Sequence, residues 1–318
     1  LPFFRRLNVT TAYEYLERRF NYTTRFLASF LFIIFMIARM ALVLFLPSLA
    51  LTTVTGIDIY TCIVLMGVIT IIYCTMGGVE AVVWGDVIQG FVLLSGAVVA
   101  VFFLISGTEG GMGKLIDISM DNHKFTMFDF ALSWKSATIW VILLGGLANN
   151  LISYSADQTV IQRYLTTKDE KSAAKGIILN GVLAVIVSVI FYFIGTALYV
   201  YYKTQPEELN FVMQNTDSIF PHFIMSKMPI GVAGLLIAAI FSATMSTVSS
   251  NVNSLSTAFT SDFYCHFFPD STDKNQLSVA RWSGIVFGGI GVGFALLMAT
   301  LNILSLFDYF NYILGLLA

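Results

Sequence analysis

Charge is scarce in this sequence. Asp, Glu, Lys and Arg make up 11% of its 318 residues, where a soluble globular domain carries about a quarter. The net charge of −2 points to no charged partner, and no nucleic-acid partner is expected. Cysteine is nearly absent: Cys62, Cys74 and Cys265 have no motif spacing, so neither a disulfide nor a cysteine metal site is expected. His123, His222 and His266 are scattered and lack the paired spacing of a zinc hydrolase. No nucleophile–base or metal constellation falls on any one face, so no enzymatic activity is expected. No repeated pore-loop signature marks a channel. The chain also lacks an initiating Met and a signal peptide, and it stops at Ala318 within an apolar run. It reads as an internal piece of a longer protein.

What is abundant is apolar sequence. Hydrophobic residues make up 57% of the chain, and runs of 18 or more recur from end to end. That pattern predicts an all-α, polytopic membrane protein. Leu1–Phe20 is polar and basic, and Thr11-x-x-Glu14 forms a capping box that opens an amphipathic helix, TAYEYLERRF. The spans then read Arg25–Thr52, Ile57–Met76, Val79–Ile105, Ile139–Gln162, Gly176–Tyr201, Ile230–Tyr264 and Arg281–Thr300, with an eighth beginning near Leu304. Between them lie a polar loop at Ser106–Ser136, a charged one at Thr166–Ala174, and a third at Lys203–Met228 with a short helix near Ile219–Ile224. Alternating spans put eleven cationic residues on one side, in the segments around Arg5–Arg25, Arg163–Lys175 and Lys274–Arg281. Five lie opposite: Lys114, Lys124, Lys135, Lys203 and Lys227. The richer side is expected to be cytoplasmic.

One span combines an apolar body with a stripe of hydroxyls: Ile237–Ser261, IAAIFSATMSTVSSNVNSLSTAFTS. At 3.6 residues per turn, Ser242, Ser246, Ser249, Ser250, Asn253 and Thr257 share one face, with Phe241, Val248, Val252, Leu255 and Phe259 opposite. Such a stripe admits two readings. It lets a neighbouring helix approach closely, or it presents oxygen ligands to a hard cation.

Two ionisable residues sit where charge is expensive. Arg39 lies near the middle of the first span and needs a protein carboxylate, backbone carbonyls or an anionic ligand; Asp86 is the obvious acid, but it is expected at a different depth. Asp86 enters its span from the side by which the serine stripe leaves. A carboxylate plus several hydroxyls would suit a monovalent cation, while hydrogen bonding at a helix start near Gly77-Gly78 is the plainer role. Asn149-Asn150 lies mid-span near Gly145, Gly146 and Ser153, as in the interrupted helices where transporters place substrate groups, although buried amides also join helices.

Taken together, these segments resemble the sodium/solute symporter family. AIFSATMSTVSSNVNSLSTAFTSDFY resembles its sodium-site helix, GGVEAVVWGDVIQ (Gly77–Gln89) its aspartate-bearing helix, and TAYEYLERRF the helix before its core helix 3. SADQTVIQRYLTTKDEKSAAKG (Ser155–Gly176) matches its D/N-Q-x-x-x-Q-R signature. The resemblance runs over nearly the whole chain. It implies a five-plus-five inverted-repeat, leucine-transporter-like fold in which these spans are core helices 3 to 10. Residues 1–106 would complete the first repeat, 107–136 form an extracellular loop, and 137–318 form the second repeat.

The resemblance also implies Na+ as the coupling ion. The principal sodium site would take the Ala243 carbonyl and the Ser246 and Thr247 hydroxyls, with core helix 1 supplying the rest. The bacterial sialic acid symporters resemble the chain further. By that likeness Asp86, Ser249 and Ser250 would hold a second sodium, Arg39 the substrate carboxylate, and Asn150 would face the substrate. The expected protein is a sodium-coupled symporter of an anionic solute, sialic acid, working by alternating access as a multi-pass monomer in the bilayer of a bacterial inner membrane. Symport of a monocarboxylate, a vitamin carboxylate, proline or a sugar is the alternative within the family. A transporter-like sensor domain of a histidine kinase is the alternative outside it.

Overall fold

The structure, a computed structural model, describes residues 4, 7, 9–126, 129–133, 138–209 and 219–301. The span expected from Leu304 lies outside the described residues. Among those residues the chain is helical. Helix α1 is Ala12–Arg19, α2 Tyr22–Thr55, α3 Ile59–Gly107, α4 Gly111–Asp121 and α5 Ile139–Ala156. Then come α6 Gln158–Leu165, α7 Glu170–Thr204, α8 Ile219–Lys227, α9 Ile230–Phe259 and α10 Asp273–Thr300. The expected capping box is met in one half: the Thr11 side chain accepts from Glu14 N, whereas Glu14 Oε2 accepts at 2.8 Å from Thr10 N, one residue before the cap.

Six of these helices are long and apolar enough to cross a membrane. One of them, α3, has 49 residues, about 73 Å at 1.5 Å per residue, more than twice a bilayer core of roughly 30 Å. It is two spans joined at Gly78, whose φ of 58° and ψ of −149° break the helix. That conformation is essentially closed to residues with a Cβ, so the Gly77-Gly78 pair divides the two spans as the sequence predicted.

Two expectations changed. The loop at Ser106–Ser136 contains α4, because its Leu115 is fully buried in the cluster formed with Leu104, Tyr201 and Phe223. The fourth span is not one helix over Ile139–Gln162. It stops at Ala156, and Asp157, in an extended conformation, caps a new helix by accepting from Thr159 N at 2.8 Å.

Helix α9 is the centre of the bundle, packing on α3, α2 and α10. Its apolar face supplies Val248, Val252 and Leu255 to a core shared with Met36, Met40 and Leu44 of α2 and with Ile63 and Met66 of α3. In lipid such contacts stabilise by close packing more than by exclusion of water. Helix α10 therefore meets its neighbours through glycines: a Cβ at Gly288 would lie 2.6 Å from Ile71 Cγ1, and one at Gly291 would collide with Met40. The end of α9 continues as a π-helical turn, Thr260–Tyr264. Asp262 in that turn is fully buried. It accepts from Thr11 Oγ1 (2.6 Å), Arg25 Nε (2.9 Å), Arg25 Nη2 (2.7 Å) and Ser29 Oγ (2.7 Å), tying α9 to α1 and α2.

Candidate functional site

The short helix α6 is the hub of the polar interior. Its residues Gln158, Ile161 and Gln162 are buried, and Asp157, Gln158, Gln162 and Arg163 between them reach α1, α2, α3 and α9. Asp157 Oδ2 accepts from Arg39 Nη1 of α2 at 3.3 Å. Gln158 faces the start of α1: its Oε1 accepts from Ala12 N at 2.8 Å, and its Nε2 donates to the Thr10 carbonyl at 3.2 Å. Gln162 faces α9, donating to Thr257 Oγ1 at 2.8 Å and accepting from Ser254 Oγ at 3.2 Å. Arg163 Nη2 donates to Asp86 Oδ2 of α3 at 2.6 Å and to Ser250 Oγ of α9. Tyr13 fastens the break itself, donating to the Ala156 carbonyl at 3.0 Å. Burial, with Asp157 and Asp262 nearby, pushes the Tyr13 phenol well above its usual range, so it remains a donor.

Asp86 and the serine stripe come together as expected. Ser246 Oγ donates to Asp86 Oδ1, and Ser250 shares the Arg163 guanidinium with Asp86. Ser249 is fully buried, with its Oγ donating to the Ser246 carbonyl at 3.0 Å. The cluster offers one carboxylate and several hydroxyl oxygens, a donor set suited to a hard monovalent cation. Thr247 Oγ1 donates to the Ala243 carbonyl at 3.3 Å, so these two expected ligands of the principal site adjoin. Ser246 turns its hydroxyl toward Asp86, linking the two groups of ligands.

Arg39 does not meet Asp86, which was expected at a different depth; it meets an acid the sequence reading did not name, Asp157, at the break after Ala156. The pair is open, with the Arg39 side chain 35% exposed and Asp157 14%. The bond uses one of the five guanidinium N–H groups. Asn150 is exposed and donates to the Gly146 carbonyl at 2.7 Å within its own helix; no hydrogen bond joins it to Arg39 among the described residues. The side chain of Asn149 lies outside the described set. Arg163 was missed as a functional residue. The signal for it was in the sequence: two glutamines four apart, flanked by an acid and a base, make a short helix whose buried face is polar.

The chain matches the sodium:solute symporter family over residues 1–318. It is 40% identical over 321 residues to the sodium/sialic acid symporter NanT of Aliivibrio fischeri, covering 100% of this chain and 63% of that protein. With the sodium/sialic acid symporter SiaT of Proteus mirabilis it shares 40% identity over 319 residues, covering 64% of that protein. The human sodium-coupled monocarboxylate transporter 2 is 33% identical over 294 residues, 91% of this chain and 47% of that one. The chain thus spans a little under two thirds of the length of the bacterial relatives. Among solved structures, a Na+-coupled sialic acid symporter in a substrate-bound outward-open state, described as having a novel Na+ site, superposes with a TM-score of 0.87. It is 38% identical and covers 94% of this chain and 64% of that one.

Proposed function

This chain belongs to the sodium:solute symporter family, and from that premise we propose that it forms the greater part of a sodium-coupled symporter for sialic acid. The observation that carries the substrate class is Arg39. It sits mid-helix in a membrane span, and Asp157 steadies it through a single N–H, which leaves a fork of donors for a carboxylate. The 40% identity to sodium/sialic acid symporters along the whole chain supports sialic acid as the bearer of that carboxylate.

In this reading Ala243, Ser246 and Thr247 contribute to a principal sodium site, and Asp86, Ser249 and Ser250, with Ser246 shared, form a second. Binding of sodium and solute to the same conformational state makes each favour the other, which couples their movement in alternating access. Asn150 lines the solute path. The protein works as a monomer in a bacterial inner membrane, with the basic segments at Arg5–Arg25, Arg163–Lys175 and Lys274–Arg281 in the cytoplasm. Residues 1–106 and 137–318 belong to the two inverted repeats, separated by an extracellular loop at 107–136.

The monocarboxylate transporters among the relatives share the need for a carboxylate, so the test has to separate the two solutes. Radiolabelled sialic acid should enter proteoliposomes holding the full-length protein only under an inward sodium gradient. Unlabelled sialic acid should compete and short monocarboxylates should not. Competition by lactate or pyruvate as strong as by sialic acid would move the assignment to the monocarboxylate branch.

A further inference from the structure

Arg163 stands where the proposed second sodium site needs its cation. Its Nη2 donates at 2.6 Å to one Asp86 oxygen and also to Ser250 Oγ, while Ser246 Oγ donates to the other Asp86 oxygen. Three of the oxygen-bearing groups assigned to sodium are thereby taken up by a guanidinium and its neighbours. A sodium ion ligated by Asp86 and Ser250 and a guanidinium bonded to the same pair carry the same charge and claim the same lone pairs. They exclude each other.

Two further features favour exchange over a permanent staple. The Arg163 side chain is 47% exposed against 20% for Asp86, so the guanidinium has water available when it leaves, whereas the carboxylate is held in the interior. Arg163 and Ser250 also line a narrow cleft with Val79 and Asn253. Val79 and Asn253 in turn line a cavity of about 310 Å³ that reaches Gly77, Gly78, Thr257 and Arg281 at the basic end of the bundle. The cleft that Arg163 lines thus shares Val79 and Asn253 with that cavity.

We propose that Arg163 is the exchangeable counter-ion of Asp86. It swings off when sodium binds and returns to the carboxylate when sodium leaves toward the basic end. A carboxylate inside a span is costly without a partner. A tethered cation supplies one during the sodium-free part of the cycle and weakens the apparent affinity for sodium by competition. This inference rests on Asp86 being a sodium ligand.

The test is a sodium titration of the purified full-length protein without solute, read by thermal stabilisation. If the guanidinium holds Asp86 in about nine-tenths of the sodium-free protein, removing it raises apparent sodium affinity about tenfold, because binding is weakened by the fraction of competent protein. Arg163→Gln should therefore bind sodium about tenfold more tightly. Arg163→Lys, a point charge that cannot fork across two acceptors, should fall between, at roughly a few-fold. In proteoliposomes, Arg163→Gln should keep sodium-loaded solute exchange while net uptake slows. Unchanged or weaker sodium binding in Arg163→Gln overturns the proposal; should that variant not fold, the same result in Arg163→Lys does so. Asp86→Asn separates the two levels. If it leaves sodium binding untouched, the second sodium site is wrong. If it weakens sodium binding while the Arg163 variants do not tighten it, the sodium site stands and the counter-ion does not.

Discussion

Replacing Arg39 by alanine should damage solute binding far more than it damages the fold, and the structure sets both magnitudes. The Arg39–Asp157 bond is 3.3 Å long, and its partners keep 35% and 14% of their side-chain surface exposed. A pair this open contributes roughly 0–1 kcal/mol, so the unfolding temperature should fall by no more than about 2–4 °C. A solute carboxylate held by two charge-assisted hydrogen bonds loses about 1.5–3 kcal/mol for each, or roughly 100-fold to 10,000-fold in all at about 1.4 kcal/mol per factor of ten. Because the guanidinium is partly open to solvent, water replaces some of the lost bonding, and the lower end, about 100-fold, is expected. Arg39→Lys restores the charge without the planar fork and should recover about half of that loss on a logarithmic scale. Asp157→Asn removes a competing anion and should leave sialic acid binding unchanged or tighter by roughly a few-fold, while Arg39→Ala with Asp157→Asn should bind as poorly as Arg39→Ala alone. Calorimetric titration of sialic acid in sodium buffer, beside thermal unfolding of each variant, reads both quantities. Wild-type affinity in Arg39→Ala, with a large loss of thermal stability, would refute the reasoning and make the pair with Asp157 the residue's whole purpose.

Three further outcomes follow from the site and its frame. Ser246→Ala and Thr247→Ala should each raise the sodium concentration for half-maximal uptake with little change in protein yield; unchanged sodium dependence in both would return the hydroxyl stripe to a packing role. Wild-type uptake should rise with sodium with a Hill coefficient above one, and Asp86→Ala should bring it toward one; a wild-type coefficient of one would count against two coupled ions. Asp262→Ala deletes a fully buried carboxylate that accepts four hydrogen bonds. Breaking a buried ion pair costs about 3–5 kcal/mol, and the low end applies because Arg25 keeps Glu17 at 2.5 Å. Thermal unfolding in detergent should show that loss irrespective of sodium, and a variant as stable as wild type would mean that the Asp262 network is dispensable.

The spans were legible because lipid demands long apolar helices, and that requirement is written locally in the residues of each span. The division at Gly77-Gly78 was legible for a similar reason: only glycine takes the backbone conformation found at Gly78. The meeting of Asp86 with Ser246 and Ser250 followed from the helical period and from which side each span enters. The Arg39–Asp157 pair was not legible. A polar residue at the foot of an apolar run looks the same whether the helix continues past it or breaks there. The break at Asp157 depends on partners 118 to 148 residues away, among them Arg39, Tyr13 and Thr10. Arg163 was overlooked for a different reason: the run of Gln158, Gln162 and Arg163 marked its helix, but next to the charged loop at Thr166–Ala174 its charge reads as one more surface cation. Helix α4 was masked by its charges and glycines, and its burial comes from Tyr201 and Phe223, far along the chain.

The joint at Gly78 is one residue wide, and that has a mechanical consequence. A loop of ten residues would let the two limbs of α3 tilt separately, because many soft torsions would absorb the difference. Here one pair of torsions does so, and helical hydrogen bonding resumes on both sides. The limb that carries Asp86 is thus the arm of a crank whose other arm, Ile59–Gly77, seats α10 through contacts such as Ile71 on Gly288. Any displacement of the Asp86 arm is therefore passed through a single residue to the arm that packs on α10. In the symport proposed above, stiffening that single joint is expected to slow the cycle without touching any of the proposed ion or solute ligands.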